Sequence, residues 1–544
     1  MHRCLRIPEV VREICGLLQR RGALSMALTF RQFLEPGLDK IWADIDSFDP
    51  LIACMPEDLW KVEERGEGFL FEKPTRTYSL SRALRPSDIE RYLRFYAHRI
   101  RIFSIIGFSG YKWIAIDALQ ALQVMTNWEP GVLSPQLREI GWEAPDDIGS
   151  LIGEDWANHF PPCMSLFWGP SLSCLRIAFE PGYAHPLYAT INQATALVTT
   201  RLKQLYVIAE GDEQRLLDEY LRTFPWPHLE YLRACSISSS TLLYLATLPC
   251  LNSLELTDVR GIPLPLVYSE TTDSATITSE GRFSNLKTLA LESDELQQIT
   301  ALLQHVAPTS PLQVLGCVSL NYVLPRDARN AIESVRLHAN PNTLRSLLLR
   351  DGYDEFEGSG LPVEEPIDLD PDASIDITSL LAFKHLTSVQ VLFKETVLVN
   401  PELISHIPLA WPGLTLLELC PQIPNTRMPL VDHTHFLDLL RGCKSLLYLG
   451  LRFDATKIRG AEVDRGAPFA LRGLRVGDSP ILSPSRVLSF LESNVPGLAR
   501  PVRYVTDGGL KSVYEERWEK LVESRAETWK EDLDAPWSYY YTSE

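Results

Sequence analysis

Asp368, Asp370 and Asp372 alternate as the first ligands of a calcium-binding loop do, and a cluster of carboxylate oxygens is what a hard cation selects. Two positions argue against such a site. Ala373 stands where the loop must turn on glycine, and Ser379 stands where the final bidentate carboxylate belongs. Asp432-His433-Thr434-His435 is the one tight histidine cluster, and neighbouring imidazoles without two further ligands at metal spacing read as structural. The 10 cysteines contain no CxxC pair. A phosphate-binding glycine loop, a GxGxxG run after a strand, a GxSxG elbow and an HExxH helix are all missing from the sequence. The expectation is a chain without metal, cofactor or catalytic centre, which works by binding.

The residues left to do that binding sit in a recurring pattern. LSCLRI at 172, LKQLYV at 202, LEYLRA at 229, LNSLEL at 251, LKTLAL at 286 and LQVLGC at 312 share the form apolar-x-x-apolar-x-apolar, as do LRSLLL at 344, LTSVQV at 386, LTLLEL at 414, LLYLGL at 446 and LRGLRV at 471. From 172 to 471 in ten steps the spacing averages about 30 residues, the length of one strand-and-helix unit. Weaker copies precede them at Ile100-Phe103-Ile105 and Cys163-Leu166-Trp168. In an extended strand the fourth and sixth positions face one core, and the residues between them face the other side. That other side carries Arg176, Tyr206, Arg233, Glu255, Gln390, Glu418 and Arg475, with Arg350 and Arg452 one step further along their strands. Including Glu292, the strip holds five arginines against three acids, which would suit an acidic peptide or an anionic small molecule.

The elements between copies are short amphipathic helices. Asp212 to Phe224 aligns Leu216, Leu217, Tyr220, Leu221 and Phe224, and Glu295 to Val306 aligns Leu296, Ile299, Leu303 and Val306. One unit cannot bury its apolar face alone, whereas stacked units share a continuous core. The fold class is therefore α/β, a curved solenoid over 86–500 with parallel strands on the concave side and helices outside. An acidic loop at 351–376 interrupts it, and 501–544 caps its end, with Tyr514, Trp518, Leu521 and Val522 at helical spacing. Ser87 and Glu90 have the form of a capping box for the helix that leads into it. Residues 46–85, mixed in composition, form a connector.

Composition bounds the partners. A formal net charge of −18 disfavours general binding to nucleic acid or to an anionic membrane, and 45% hydrophobic with 22% charged residues belongs to a folded soluble chain. Charged residues interrupt the N-terminus, so no secretion signal is readable, and no Asn-x-Ser/Thr sequon occurs. A cytoplasmic or nuclear compartment is expected.

Three short helices are expected ahead of the connector, over Ile7 to Gln19, Leu24 to Phe33 and Pro36 to Trp42. Pro8 and Pro36 suit first turns, where a proline's missing N–H goes unnoticed. The first helix carries Ile7, Val10, Val11, Ile14, Leu17 and Leu18 as one apolar stripe, more than a module of about 40 residues buries by itself. The segment 1–45 resembles an F-box: Ile7-Pro8-Glu9, Ile14, Leu17-Leu18, Leu28, Phe33, Leu38 and Trp42 stand for the family's Leu-Pro-x-Glu, helical Ile, Leu-rich turn and later aromatic and Trp. Ile7 replaces the usual Leu, and Phe30 stands where the family often has Cys. The recurring pattern behind it resembles the leucine-rich repeat in its irregular form. F-box followed by such an array is the arrangement of the substrate receptors abundant in fungi.

The resemblance implies that those ten residues dock a Skp-family adaptor joined to a cullin and RING scaffold, with Phe33 and Trp42 equally open to a place in the module's own core, while the solenoid selects an unidentified protein for ubiquitination. Such a receptor performs no chemistry itself. The alternative is a leucine-rich scaffold or GTPase-regulating protein with no link to a ligase.

Overall fold

A computed structural model describes residues 7–65, 75–105, 112–142, 163–179, 195–209, 214–235, 237–259, 283–352, 374–394, 397–420, 427–463, 468–498 and 512–524, together with 192, 466 and 502–503. The chain forms two compact units, one of residues 1–244 with 248–251 and the other of residues 245–247 with 252–544.

The first unit opens with α1 (Pro8–Leu17), α2 (Arg20–Thr29) and α3 (Arg31–Ala43). Ile7 is the N-cap, extended at φ −89°, and Pro8 occupies the first turn as its chemistry favours. Pro36 does not open the third helix, as the sequence suggested, but lies inside α3. A single extended residue, Phe30, separates α2 from α3, so the helix starts earlier than the proline marks. The module is tied to the repeats behind it. Arg99, buried, pairs with Glu35 and Asp39 of α3, and the Trp42 ring stacks on Tyr96 at 4.1 Å.

Strand β1 (Asp44–Ile45) joins the main sheet of this unit beside β4 (Ile102–Ile105). Between them in sequence, β2 (Trp60–Arg65) and β3 (Thr75–Leu80) form an antiparallel pair, extended by β5 (Lys112–Ile114) into a separate three-stranded sheet. The expected connector is thus a small sheet. The helix Pro86–Phe95 follows it with Arg85 as its N-cap, and the carboxylate of Asp88, three residues on, accepts from Arg85 N at 2.8 Å and is held by Arg82; Ser87 and Glu90 do not form the box.

After β4 the main sheet continues through β6 (Glu139–Trp142), β7 (Cys174–Phe179), β8 (Gln204–Ala209) and β9 (Tyr231–Ala234), all parallel. The segment Cys163 to Trp168, expected as a strand, is instead a buried turn around the 3-10 helix Met164–Leu166. The strand of that repeat lies earlier, at Leu137-x-x-Ile140-x-Trp142, a copy of the pattern that the sequence reading passed over.

The second unit carries β10 (Ser253–Leu256), β11 (Thr288–Ser293), β12 (Val314–Ser319), β13 (Ser346–Asp351), β14 (Ser388–Leu392), β15 (Leu416–Glu418), β16 (Tyr448–Gly450), β17 (Gly473–Gly477) and β18 (Val502–Arg503), parallel and in sequence order. All eleven copies from 172 to 471 therefore end in a strand. Their fourth positions, Leu254, Leu289, Leu315, Leu347, Val389, Leu417, Leu449 and Leu474 in this unit, are fully buried and in register, so each repeat adds its layer to a common core. Each buried leucine contributes about 2 kcal/mol by leaving water. At the end of the unit the helix Val513–Glu523 buries Trp518, whose indole N–H donates to Ser479 O at 2.9 Å. The fold is an α/β stack of strand-and-helix repeats of leucine-rich type. Residues 353–373, which hold most of the acidic loop and the Asp368 series, lie outside the described residues.

Candidate functional site

The N-terminal helices bury less of themselves than their sequence offers. Val11 and Cys15 of α1 close on Phe33 of α3 with Met26 beside them, and α2 turns Ala23 and Ala27 inward. The apolar stripe of α1 is consequently split along its length. Its Cys15 flank is inside and its Leu17 flank is outside, with Ile14 and Leu18 half-buried between. Leu17 is 87% and Leu28 78% exposed, and Ile7, Leu24, Phe30 and Leu34 are exposed as well. Six large apolar side chains between residues 7 and 34 thus face water, against a background in which such residues are usually scattered singly.

Of the ten residues that the resemblance assigns to adaptor contact, Pro8 and Glu9 are exposed like Ile7, Leu17 and Leu28, and Leu38 is half-buried. Two are reassigned. Phe33 is buried, because a three-helix module needs one large ring in its centre, and Trp42 is engaged with Tyr96. The sequence reading missed Leu24, Phe30 and Leu34. The signal was available in α2, where alanines at 23 and 27 are spaced to face a neighbouring helix and push the leucines outward.

On the sheets, the strip opposite the leucine rows divides by chemistry. In the first unit Arg176 sits 4.3 Å over the Tyr206 ring and pairs with Glu139 at 3.1 Å, and Tyr206 packs on Tyr231 at 4.8 Å. Arg233 follows Tyr206 in register, and all four of Arg176, Tyr206, Tyr231 and Arg233 are partly accessible. In the second unit Glu255 and Arg350 are partly accessible, whereas Gln390 and Glu418 are buried and cannot meet a partner from solution, contrary to their assignment to a binding strip. Arg452 is bound to Asp478 at 2.6 Å, and Arg475 lies 4.0 Å from Glu418. Arg452 is thereby neutralised within the unit.

The cause at Glu418 is local. Register aligns Gln390, Glu418, Gly450 and Arg475 in one row, and the carboxylate lies across the space that a side chain at Gly450 would fill, 2.0 Å from where its Cβ would be. Neither of its oxygens makes a well-aligned hydrogen bond among the described residues, although the backbone and thiol of Cys420 lie close enough to favour the charged form. Burial pushes its pKa up to about 7, and the charge of Arg475 offsets only part of that.

The histidine cluster is architectural. Asp432 caps the helix His433–Gly442, accepting from Thr434 N at 3.0 Å and meeting His435 Nδ1 at 2.8 Å, while His433 is buried edge-on to Phe490. Among the described residues no three His, Cys, Asp or Glu side chains are grouped to hold a metal ion, and no helix is long and apolar enough to cross a membrane.

No protein-family model matches the chain, and no curated protein does. Among solved structures, one described as "Crystal structure of Rad7 and Elc1 complex in yeast" aligns at 13% identity and a TM-score of 0.31, over 77% of this chain and 81% of that one. At that score the likeness carries no argument, and the functional reading rests on the surfaces described above.

Proposed function

We propose that the chain is the substrate-receptor subunit of a Skp-cullin-F-box type ubiquitin ligase. Its N-terminal helices dock a Skp-family adaptor, which leads to a cullin and RING scaffold, and its repeat units bind the protein to be ubiquitinated. It has no catalytic centre of its own. Its contribution is to hold substrate lysines at high effective concentration near a charged conjugating enzyme. The observation that carries this reading is the concentration of Ile7, Leu17, Leu24, Leu28, Phe30 and Leu34 on the outside of a module whose own core is already closed. Apolar surface of that density on helices fits a helix-in-groove partner.

The test is co-purification of the full chain with a Skp-type adaptor and cullin. Leu17→Asp with Leu28→Asp should reduce adaptor capture at least tenfold and leave the melting temperature within a degree or two, because both side chains are already in water. Failure of the unaltered chain to retain an adaptor, where a control receptor does, would remove the proposal.

A further inference from the structure

Three rungs can be followed across β4, β6, β7, β8 and β9 in the first unit. At the edge where the strands begin they read Arg101, Arg138, Ser173, Lys203 and Glu230, linked by backbone bonds such as Arg101 O to Arg138 N and Lys203 O to Glu230 N. The next rung is Ile102, Glu139, Cys174, Gln204 and Tyr231, and the third is Ser104, Gly141, Arg176, Tyr206 and Arg233. Five of these positions are Arg or Lys and two are Glu, in a chain with 70 acidic residues against 52 basic ones. The local sign is opposite to that of the molecule.

The arrangement is also ordered in advance. Glu139 holds Arg176 through Nε and Nη2 at 3.2 and 3.1 Å, Arg176 lies on Tyr206, and Tyr206 lies on Tyr231. A Cβ at Gly141 would meet Arg176 Cδ at an ordinary contact distance of 3.6 Å and would press on Ser104 Oγ at 2.7 Å, so the space this glycine leaves lies toward β4. Two long side chains and two rings therefore have little freedom left to lose when something binds, and Arg with Tyr is the composition of energetic centres in protein interfaces. Arg138 is exposed and has no ion pair among the described residues. Burial, and then the charge of Arg138, lower the pKa of Arg101, and the Asp39 carboxylate offsets part of this.

We infer that this face, from the strand-start edge to the row of Arg176, Tyr206 and Arg233, docks an extended acidic segment of the protein that the receptor recruits. This rests on the receptor reading for its biological meaning, and its physical content is independent of it. An acidic strand laid across the rungs brings carboxylates to Arg138 and Arg233 at the two ends, while its own side chains pack on the Tyr206 and Tyr231 rings between.

The experiment uses the purified full chain and a fluorescein-labelled twelve-residue peptide of alternating Glu, Ser and Tyr, read by anisotropy at low salt. Its Lys-for-Glu counterpart and an oligo-dT strand serve as comparison probes. Saturable binding of the acidic peptide, weakened by salt and reduced at least tenfold by Arg138→Glu with Arg233→Glu, is expected, as is partial recovery in the Arg→Lys pair. The exposed single variant Arg138→Glu gives the same direction free of any concern over folding. No binding by the unaltered chain, equal or tighter binding of the lysine peptide or the oligonucleotide, or unchanged affinity in both variants overturns the inference. Adaptor capture measured on the same samples separates the two ideas: it fails only if the receptor reading fails.

Discussion

Glu418 is the residue whose surroundings depart furthest from its place in the repeat. The pattern puts it on the open side of a strand, and it is there, yet it is 1% exposed with neither oxygen in a well-aligned hydrogen bond among the described residues. The pattern could not reveal this, because the burial depends on the glycine next to it in register, Gly450, whose missing side chain lets the carboxylate lie down toward Arg475. The sign of the pH effect follows. Folding raises this carboxyl from 4.5 to about 7, so between those values the folded state holds the extra proton, and stability falls as pH rises through that window. Above pH 7 the cost is complete, on the order of 3 kcal/mol for a shift of this size. Glu418→Gln should therefore raise the melting temperature at pH 8 by several degrees and have little effect at pH 5. Thermal melts at the two pH values check this, and equal changes at both would show that the carboxylate is not the source. Asp351, also raised to about 6 by burial, is a different case, because it accepts from Lys394 N at 2.9 Å and an amide would lose part of that role.

At the scale of elements, the strands were readable and the helix ends were not. Each strand core is fixed by three apolar residues within six, whose burial decides register, and all eleven strong copies appear where the pattern places them. Helix boundaries respond to neighbours that the local sequence does not name. Prolines marked the start of α1 correctly and that of α3 incorrectly, since α3 begins five residues earlier against α2. That contact is made of small residues. A Cβ at Gly37 would stand 2.7 Å from Ala27 Cβ and 3.0 Å from Ala23 O, neither of which can move aside alone. Gly37→Ala should accordingly cost about 1 to 3 kcal/mol of local stability, as overpacking does. Faster amide exchange over residues 20–43 and weaker adaptor capture are the expected readouts, and adding Ala27→Gly should restore part of both. A double variant no better than the single one would place the constraint elsewhere.

For the whole molecule, the charge of −18 sets what the two surfaces can be. A uniformly acidic exterior would repel acidic segments and, through its solvation, resist aggregation, so the N-terminal leucines and the basic rungs of the first unit are both exceptions. They are exceptions of opposite kind: one works by apolar burial, which salt strengthens, and the other by charge, which salt screens within about 8 Å at physiological ionic strength. The two functions should separate cleanly. Leu17→Asp with Leu28→Asp is expected to lose the adaptor and keep the acidic peptide, Arg138→Glu with Arg233→Glu to keep the adaptor and lose the peptide. Raising sodium chloride from 50 to 500 mM should weaken only the second interaction, by about tenfold or more for two released ion contacts. Pull-down and anisotropy on the unaltered chain and these two double variants decide it. A single variant that abolishes both would mean that one surface serves both partners, and the division between recruiting a machine and choosing its cargo would fall with that result.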